Sequence, residues 1–209
     1  NKYDCNNKLK VLGFSCASSF LFKKGDEIME QEIINIVEIP CFVKPNGAGS
    51  SFGISKVKKK EDLKKAIHNA LKYDNKVIIE QFLDGIEVSC GVFCYENNIQ
   101  ALPITEIITE NEFFDYQAKY EGKAKEITPA RINKKLTIEI QKLTTDIYKA
   151  MGLRGICRID YIIMNKKPYI IEINTIPGLT EESIIPQQVK SANLKLSVIF
   201  KSCLVNSKK

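Results

Sequence analysis

Histidine is almost missing from this chain: His68 is the only one, and it lies in the lysine-rich segment 64–72. Ser-His-Asp and Cys-His mechanisms need an imidazole beside the nucleophile. A lone histidine there is expected on a helix surface, and a histidine-based metal site is excluded with it. Arginine is scarce too. Arg131, Arg154 and Arg158 are the only three among 31 basic side chains. Arginine is the residue that reads bases through paired hydrogen bonds, and no basic run here is interleaved with aromatics. The net charge of +6 therefore reads as a lysine-rich, solvated surface with no nucleic-acid partner. The competing nucleic-acid reading requires steep salt dependence and no need for Mg²⁺.

Paired C-x-x-C motifs are absent, and the seven cysteines are an odd number. Both facts argue against a disulfide framework and a structural zinc site. Cys41 (Pro-Cys-Phe-Val) and Cys157 (Ile-Cys-Arg-Ile) sit among apolar neighbours, where cysteine acts as a small core residue. Reduced thiols and a cytoplasmic location are expected. No apolar run approaches the ~20 residues of a membrane helix, and the polar first ten residues lack a signal-peptide core. No membrane partner is expected. Internal repeats and low-complexity tracts are missing as well. The chain does not begin with Met and reads as a fragment or a processed product.

What is present is a globular composition. With 44% hydrophobic and 27% charged residues among 209, the chain can bury one large core or two small ones, and disorder over most of it is excluded. Leu9 and Leu12 before Gly13 suggest a short helix. Asp26–Val37 reads as a helix capped by Asp26 and stopped by Pro40. Cys41–Val43 is a short buried strand, Asn46–Gly53 a glycine and serine loop, and Ile54–Val57 the returning strand. Glu61–Tyr73 has apolar residues at helical spacing, and Val77–Phe82 reads as a strand. Val88, Cys90, Val92 and Cys94 alternate within Ile86–Tyr95, a half-buried strand. One or two strands follow over Ile99–Ile108. Asn111–Glu126 lacks periodicity yet holds Phe113, Phe114, Tyr116 and Tyr120, so it reads as a loop that closes over a site. Lys134–Met151 is a second strong helix. Ile156–Met164 and Pro168–Asn174 pair around Asn165-Lys166-Lys167, and two short helices are expected within Ile184–Leu204. Antiparallel pairs with helices between them predict an α+β fold.

Four segments carry chemistry. Lys44-Pro45-Asn46-Gly47-Ala48-Gly49-Ser50-Ser51-Phe52-Gly53 ends a strand in a lysine and continues into N–H and O–H donors, which suits phosphate. It is not a P-loop, and an ordinary hairpin loop is the plainer alternative. Arg158-Ile159-Asp160 and Glu172-Ile173-Asn174 place polar residues two apart on neighbouring strands. Two carboxylates and an amide form an oxygen set for Mg²⁺, with Arg158 beside them for a phosphate or an oxyanion. A solvated face with an Arg–Asp ion pair is the plainer alternative. Thr175-Ile176-Pro177-Gly178-Leu179-Thr180 with Ser183 offers an N–H and a hydroxyl to a carboxylate, although alone it is a turn and a helix cap. Ile79-Glu80-Gln81-Phe82-Leu83 with Glu87 could face a planar base and a ribose, or be a core strand with two surface acids.

In this order and spacing, the motifs resemble the ATP-grasp superfamily and, within it, the D-alanine–D-alanine ligase family. The resemblance runs from Asn1 to about Leu204. It rests most on Lys44-Pro45 with Gly49–Lys56, on Asp115-Tyr116-Gln117-Ala118-Lys119-Tyr120, on Arg158-Ile159-Asp160, and on Glu172–Thr180 with Ser183. It implies two α+β lobes gripping ATP: residues 1–79 with the phosphate flap, and residues 80–209 with the metal and substrate site. Lys2 and Lys44 then match phosphate-binding lysines, and Ser50 and Ser51 the flap. Glu80, Phe82, Leu83 and Glu87 match the adenine and ribose pocket. Asp160, Glu172 and Asn174 match the ligands of two Mg²⁺ ions, for which Mn²⁺ can substitute. Arg158 and the Gly178 N–H match an oxyanion site, and Ser183 the holder of the second D-alanine's carboxylate. Lys119 approaches the γ-phosphate, and Tyr120 pairs with Ser50.

The implied reaction is attack of one D-alanine on ATP, then displacement of phosphate from the D-alanyl phosphate by the second amine, for peptidoglycan precursor synthesis. Positioning and charge neutralisation carry it, with no nucleophilic side chain. The resemblance also implies that the family's N-terminal domain is absent from this chain, and a homodimer for the full-length protein. A D-alanine–D-lactate ligase and a nucleotide-binding fragment without catalysis are the alternatives.

Overall fold

The computed structural model describes residues 1–49, 52–109 and 124–206. The described residues divide between two compact units, one within Asn1–Asp84 and Thr109–Ala124, the other within Gly85–Ile108 and Lys125–Lys209.

The first unit is built on an antiparallel sheet in the order β1-β4-β2-β3, from β1 (Ser19–Lys23), β2 (Cys41–Pro45), β3 (Ser55–Val57) and β4 (Lys76–Gln81). Alternation along Cys41-Phe42-Val43-Lys44-Pro45 sends Cys41 and Val43 to one face and Phe42 and Lys44 to the other. The register adds Phe22, Val57, Val77 and Ile79 to the first face. Helices α2 (Glu30–Val37) and α3 (Leu63–Ala70) close over it through Ile33, Val37, Leu63 and Ile67. Helix α1 (Lys2–Val11) is capped by Asn1, whose side chain accepts from the Asp4 N–H. His68 is exposed on α3, as its setting predicts.

Three expectations change here. Strand β1 was not anticipated, because it is a short edge strand whose Leu21 sits among flanking Phe20 and Phe22 and blunts the alternation. The helix expected from Asp26 begins at Glu30. The Asp26 carboxylate instead accepts from the Lys23 N–H at 2.9 Å and closes the turn after β1, the local competition that short polar side chains offer. The helix expected over Glu61–Tyr73 is a 3₁₀ turn, Lys60–Asp62, followed by the shorter α3.

In the second unit β5 (Ile86–Tyr95) is central. It pairs antiparallel with β9 (Cys157–Met164) on one edge, and on the other with β7 (Thr105–Thr109) and then β6 (Asn98–Ala101). β10 (Lys167–Asn174) and β8 (Ala124–Ile127) lie at the ends of the order β10-β9-β5-β7-β8. Asn165 and Lys166, at φ 52° and 62°, make the tight turn between β9 and β10. Helix α4 (Lys134–Ala150) covers one face, where the Thr144 and Tyr161 hydroxyls meet at 2.8 Å. Helices α5 (Ile184–Ser191) and α6 (Leu196–Asn206) cover part of the other, around Phe93, Leu102, Ile185, Val189 and Ile199.

Strand β5 is therefore not half-buried. Ser89, Gly91 and Phe93 are as buried as Val88, Cys90 and Val92, because helices lie on both sides. The end of the segment expected as a loop, up to Glu126, is strand β8. Phe113, Phe114, Tyr116, Lys119 and Tyr120 lie outside the described residues, as do Ser50 and Ser51.

Candidate active site

A single extra residue assembles the polar cluster of the second unit. Strands β9 and β10 pair from Lys167 opposite Met164 to Ile170 opposite Tyr161, then resume with Glu172 opposite Asp160 and Asn174 opposite Arg158. The register slips at Ile171. In an unbroken strand Glu172 and Asn174 would share the face of Ile170, which is 1% exposed in the core. The β-bulge carries them across to the face of Asp160 and Arg158. Alternation and register place Glu87 and Ser89 of β5 on that face too.

Asp160 is the hub. Arg158 Nε donates to Oδ1 and Nη2 to Oδ2, both at 2.9 Å. Ser89 Oγ donates to Oδ1 at 2.6 Å, and Asn174 Nδ2 to Oδ2 at 2.8 Å. Hydrogen bonds to a charged acceptor are the strong ones, and four of them orient this carboxylate. Burial works against the charge on Arg158, but Asp160, Glu172 and Glu126 outweigh it and hold the guanidinium pKa above its ordinary value. Glu126 on β8 lies near this group. Burial pushes its pKa up, against a 2.7 Å hydrogen bond from Gln187 Nε2 and the field of Arg158. Beyond β10, Gly178 and Ser183 come together. A Cβ on Gly178 would lie 2.8 Å from Ser183 Oγ, so a larger residue there would push the Ser183 hydroxyl aside. Ser183 is the N-cap residue of α5, and its hydroxyl lies 2.7 Å from Thr180 Oγ1.

The first unit has its own polar face. Lys44 Nζ donates to Glu80 Oε2 at 2.7 Å, and Asn6 Nδ2 to Oε1 at 2.6 Å. The Phe42 and Phe82 rings meet edge-on, 5.8 Å apart, and Lys56 Nζ lies 3.7 Å from the Phe82 centroid. Lys2 Nζ donates to the Ala48 carbonyl at 3.0 Å, which places it at the start of the glycine loop. Leu83 is buried.

Each unit thus gathers its share of the expected residues: Lys2, Lys44, Glu80 and Phe82 in one, and Arg158, Asp160, Glu172, Asn174, Gly178 and Ser183 in the other. Sequence reasoning missed Asn6, Ser89, Glu126 and Gln187. Ser89 had a signal, a lone hydroxyl alternating against apolar residues. The others had none in spacing.

A family profile described as "D-ala D-ala ligase C-terminus" matches residues 8–205. The chain belongs to that family. The D-alanine–D-alanine ligase of Flavobacterium johnsoniae is 52% identical over 98% of this chain and 63% of its own length. That of Phocaeicola vulgatus is 45% identical over 99% of the chain and 64% of its own. The chain therefore spans somewhat under two thirds of these relatives. The crystal structure of the VanG D-Ala:D-Ser ligase from Enterococcus faecalis superposes with a TM-score of 0.82 at 33% identity, over 97% of this chain and 60% of that one. The D-alanine–D-alanine ligase from Bacillus anthracis gives 0.82 at 27%, over 99% and 66%. The fold is the α+β ATP-grasp fold of these ligases.

Among the described residues no three histidine, cysteine, aspartate or glutamate side chains gather as a metal-ligating group. The set on β9 and β10 has two carboxylates, Asp160 and Glu172, and the amide oxygen of Asn174. All-oxygen donors with two negative charges fit Mg²⁺. Among the described residues no helix is long and apolar enough to cross a membrane, and all seven cysteines are free.

Proposed function

We propose that this chain carries the nucleotide, metal and acceptor sites of a cytoplasmic, ATP-dependent D-alanine–D-alanine ligase acting in peptidoglycan precursor synthesis. The observation that carries the reading is the cluster Arg158–Asp160–Asn174 with Glu172, brought to one sheet face by the bulge at Ile171. Asp160, Glu172 and Asn174 would hold Mg²⁺, or Mn²⁺ in its place, which supplies charge neutralisation for the transferring phosphate. Arg158 and the Gly178 N–H take the developing oxyanion, donors fixed where charge grows. Ser183 holds the acceptor's carboxylate at the start of α5, where the helix N-terminus favours an anion. Lys2 and Lys44, with Ser50, Ser51 and Lys119, hold the phosphates, and Tyr120 pairs with Ser50. Glu80, Phe82, Leu83 and Glu87 receive the adenine and ribose. No side chain acts as a nucleophile, in keeping with the single exposed histidine. The full-length protein is read as a homodimer.

D-Alanine as acceptor is favoured because the relatives at 52% and 45% identity are named D-alanine–D-alanine ligases, whereas the D-Ala:D-Ser ligase stands at 33%. The test is Mg²⁺-dependent ADP release by the full-length gene product, with the dipeptide identified by mass spectrometry. D-Alanine should stimulate release and D-alanyl-D-alanine should accumulate. ADP release indifferent to D-alanine, or a depsipeptide formed with D-lactate, would contradict the assignment.

A further inference from the structure

Strand β5 changes partners halfway along. Its outer edge pairs with β7 over Glu87–Ser89 and with β6 over Val92–Tyr95. Between the two, backbone groups of β5 face a gap in the ladder, and such groups must be satisfied when buried. Leu102 N–H reaches the Gly91 carbonyl at 2.8 Å. The Gln188 side chain supplies the rest. Its Oε1 accepts from the Gly91 N–H at 2.9 Å, and its Nε2 donates to the Ser89 carbonyl at 2.9 Å and to Thr105 Oγ1 at 3.0 Å. The amide stands in for a strand, and Gln188 is fully buried while doing so. Gly91 is matched to it: a Cβ there would lie 2.7 Å from Gln188 Oε1 and 2.6 Å from Ile185 Cδ1. Glycine at 91 lets α5 approach the strand closely enough for the glutamine to bond.

Two groups of the site hang on this junction. Ser89, whose carbonyl Gln188 holds, donates its hydroxyl to Asp160 Oδ1 at 2.6 Å. Gln188 also lies five residues along α5 from Ser183. We propose that Ser89 and Gln188 are positioning residues of the site: Ser89 sets the orientation of the Asp160 carboxylate toward a divalent cation, and Gln188 locks Ser89 and α5 to the same rung of β5. Arg158 also bonds Asp160, but through a long side chain that the proposed reaction needs elsewhere. Ser89 bonds it from a short side chain on the central strand, with every buried polar side-chain atom around it among the described residues satisfied. Removing partners that orient a metal ligand typically costs 10–100-fold in metal affinity.

The inference rests on the metal site proposed above, and the experiment separates the two. Mn²⁺ is titrated into the chain with saturating ADP, bound and free metal are read by electron paramagnetic resonance, and melting temperatures are taken in parallel. Ser89→Ala should raise the Mn²⁺ Kd roughly 10–100-fold with a melting temperature near that of the parent. Gln188→Met, similar in volume but unable to bond the strand, should raise the Kd in the same direction and lower the melting temperature as well. Asp160→Asn is the control for the site itself and should abolish tight Mn²⁺ binding. If Asp160→Asn abolishes binding while Ser89→Ala keeps the parental Kd, the positioning role is wrong and the metal site stands. If Asp160→Asn itself binds Mn²⁺ as the parent does, the metal site is wrong and this inference falls with it. Should Gln188→Met fail to fold, Ser89→Ala alone decides.

Discussion

Each unit holds a half-buried cation against a buried carboxylate on the polar face of its sheet, and the two pairs are built differently. Lys44 and Glu80 stand on separate strands, β2 and β4, and meet through one 2.7 Å contact, with Asn6 of α1 on the other carboxylate oxygen. Arg158 and Asp160 stand on one strand and meet through two contacts, while Ser89 and Asn174 add a third and a fourth. A lysine is a point charge on a flexible stem, whereas a guanidinium fork fixes direction. The first pair can yield its lysine to a phosphate and leave Glu80 still bonded to Asn6. In the second, Arg158 can turn to a ligand and free a position on each carboxylate oxygen, while Ser89 and Asn174 still orient Asp160.

That contrast can be broken at its strongest point. Asp160→Ala leaves the half-buried Arg158 without its main partner, and should destabilise the second unit by about 3–5 kcal/mol in denaturant unfolding. The double variant Arg158→Ala/Asp160→Ala should recover part of that loss. A single variant as stable as the parent would show that the four-donor frame contributes nothing. In the first unit, Lys44→Met should cost less, about 1–3 kcal/mol, because Asn6 still satisfies Glu80. A loss equal to that of Asp160→Ala would erase the distinction between the pairs.

A third pair sharpens the comparison through pH. Arg131 bonds Glu106 with its Nε at 2.9 Å and its Nη2 at 2.7 Å, and these hydrogen bonds hold the carboxyl below its ordinary pKa. A depressed carboxyl contributes stability above its unfolded value, about 4.3, and loses it as pH falls through the folded value. Glu106→Gln should therefore melt several degrees below the parent at pH 7, with the gap closing in acid. A gap that persists at pH 3 would show that packing rather than charge holds the pair.

Glu126 has the opposite sign and the smallest effect. Burial raises its pKa, so the ionised form costs stability as pH rises through the unfolded value. Glu126→Gln keeps an acceptor for Gln187 and should melt at or slightly above the parental temperature at pH 7, and together with it near pH 3. A drop of several degrees at pH 7 would mean that the negative charge beside Arg158 is itself structural.

Much of this was legible in the sequence, and the reasons are particular. The β9–β10 hairpin, α4 and the strand–loop–strand around Lys44 carry strong local patterns, so their positions could be read. The residues of the two polar faces were legible because each stands out among apolar neighbours. Alternation alone points Glu172 and Asn174 toward the core side of Ile170, and only the bulge at Ile171, a tertiary fact, brings them to Asp160. Gln188 was illegible for a related reason. It satisfies a gap between two strands nearly a hundred residues earlier in the chain, which leaves no mark on helix periodicity. Strand β1 was lost to its brevity and its place at the sheet edge.

The most direct measurement of the central claim is the melting temperature of this chain with and without saturating Mg-ADP, repeated for Lys44→Ala and Asp160→Asn. Ligand at a hundred times its Kd adds about 2.7 kcal/mol, a rise of roughly 5–10 °C for a protein of this size. The account predicts that rise for the parent, its dependence on Mg²⁺, and its loss in both variants. No rise in the parent, or an undiminished rise in both variants, would contradict it.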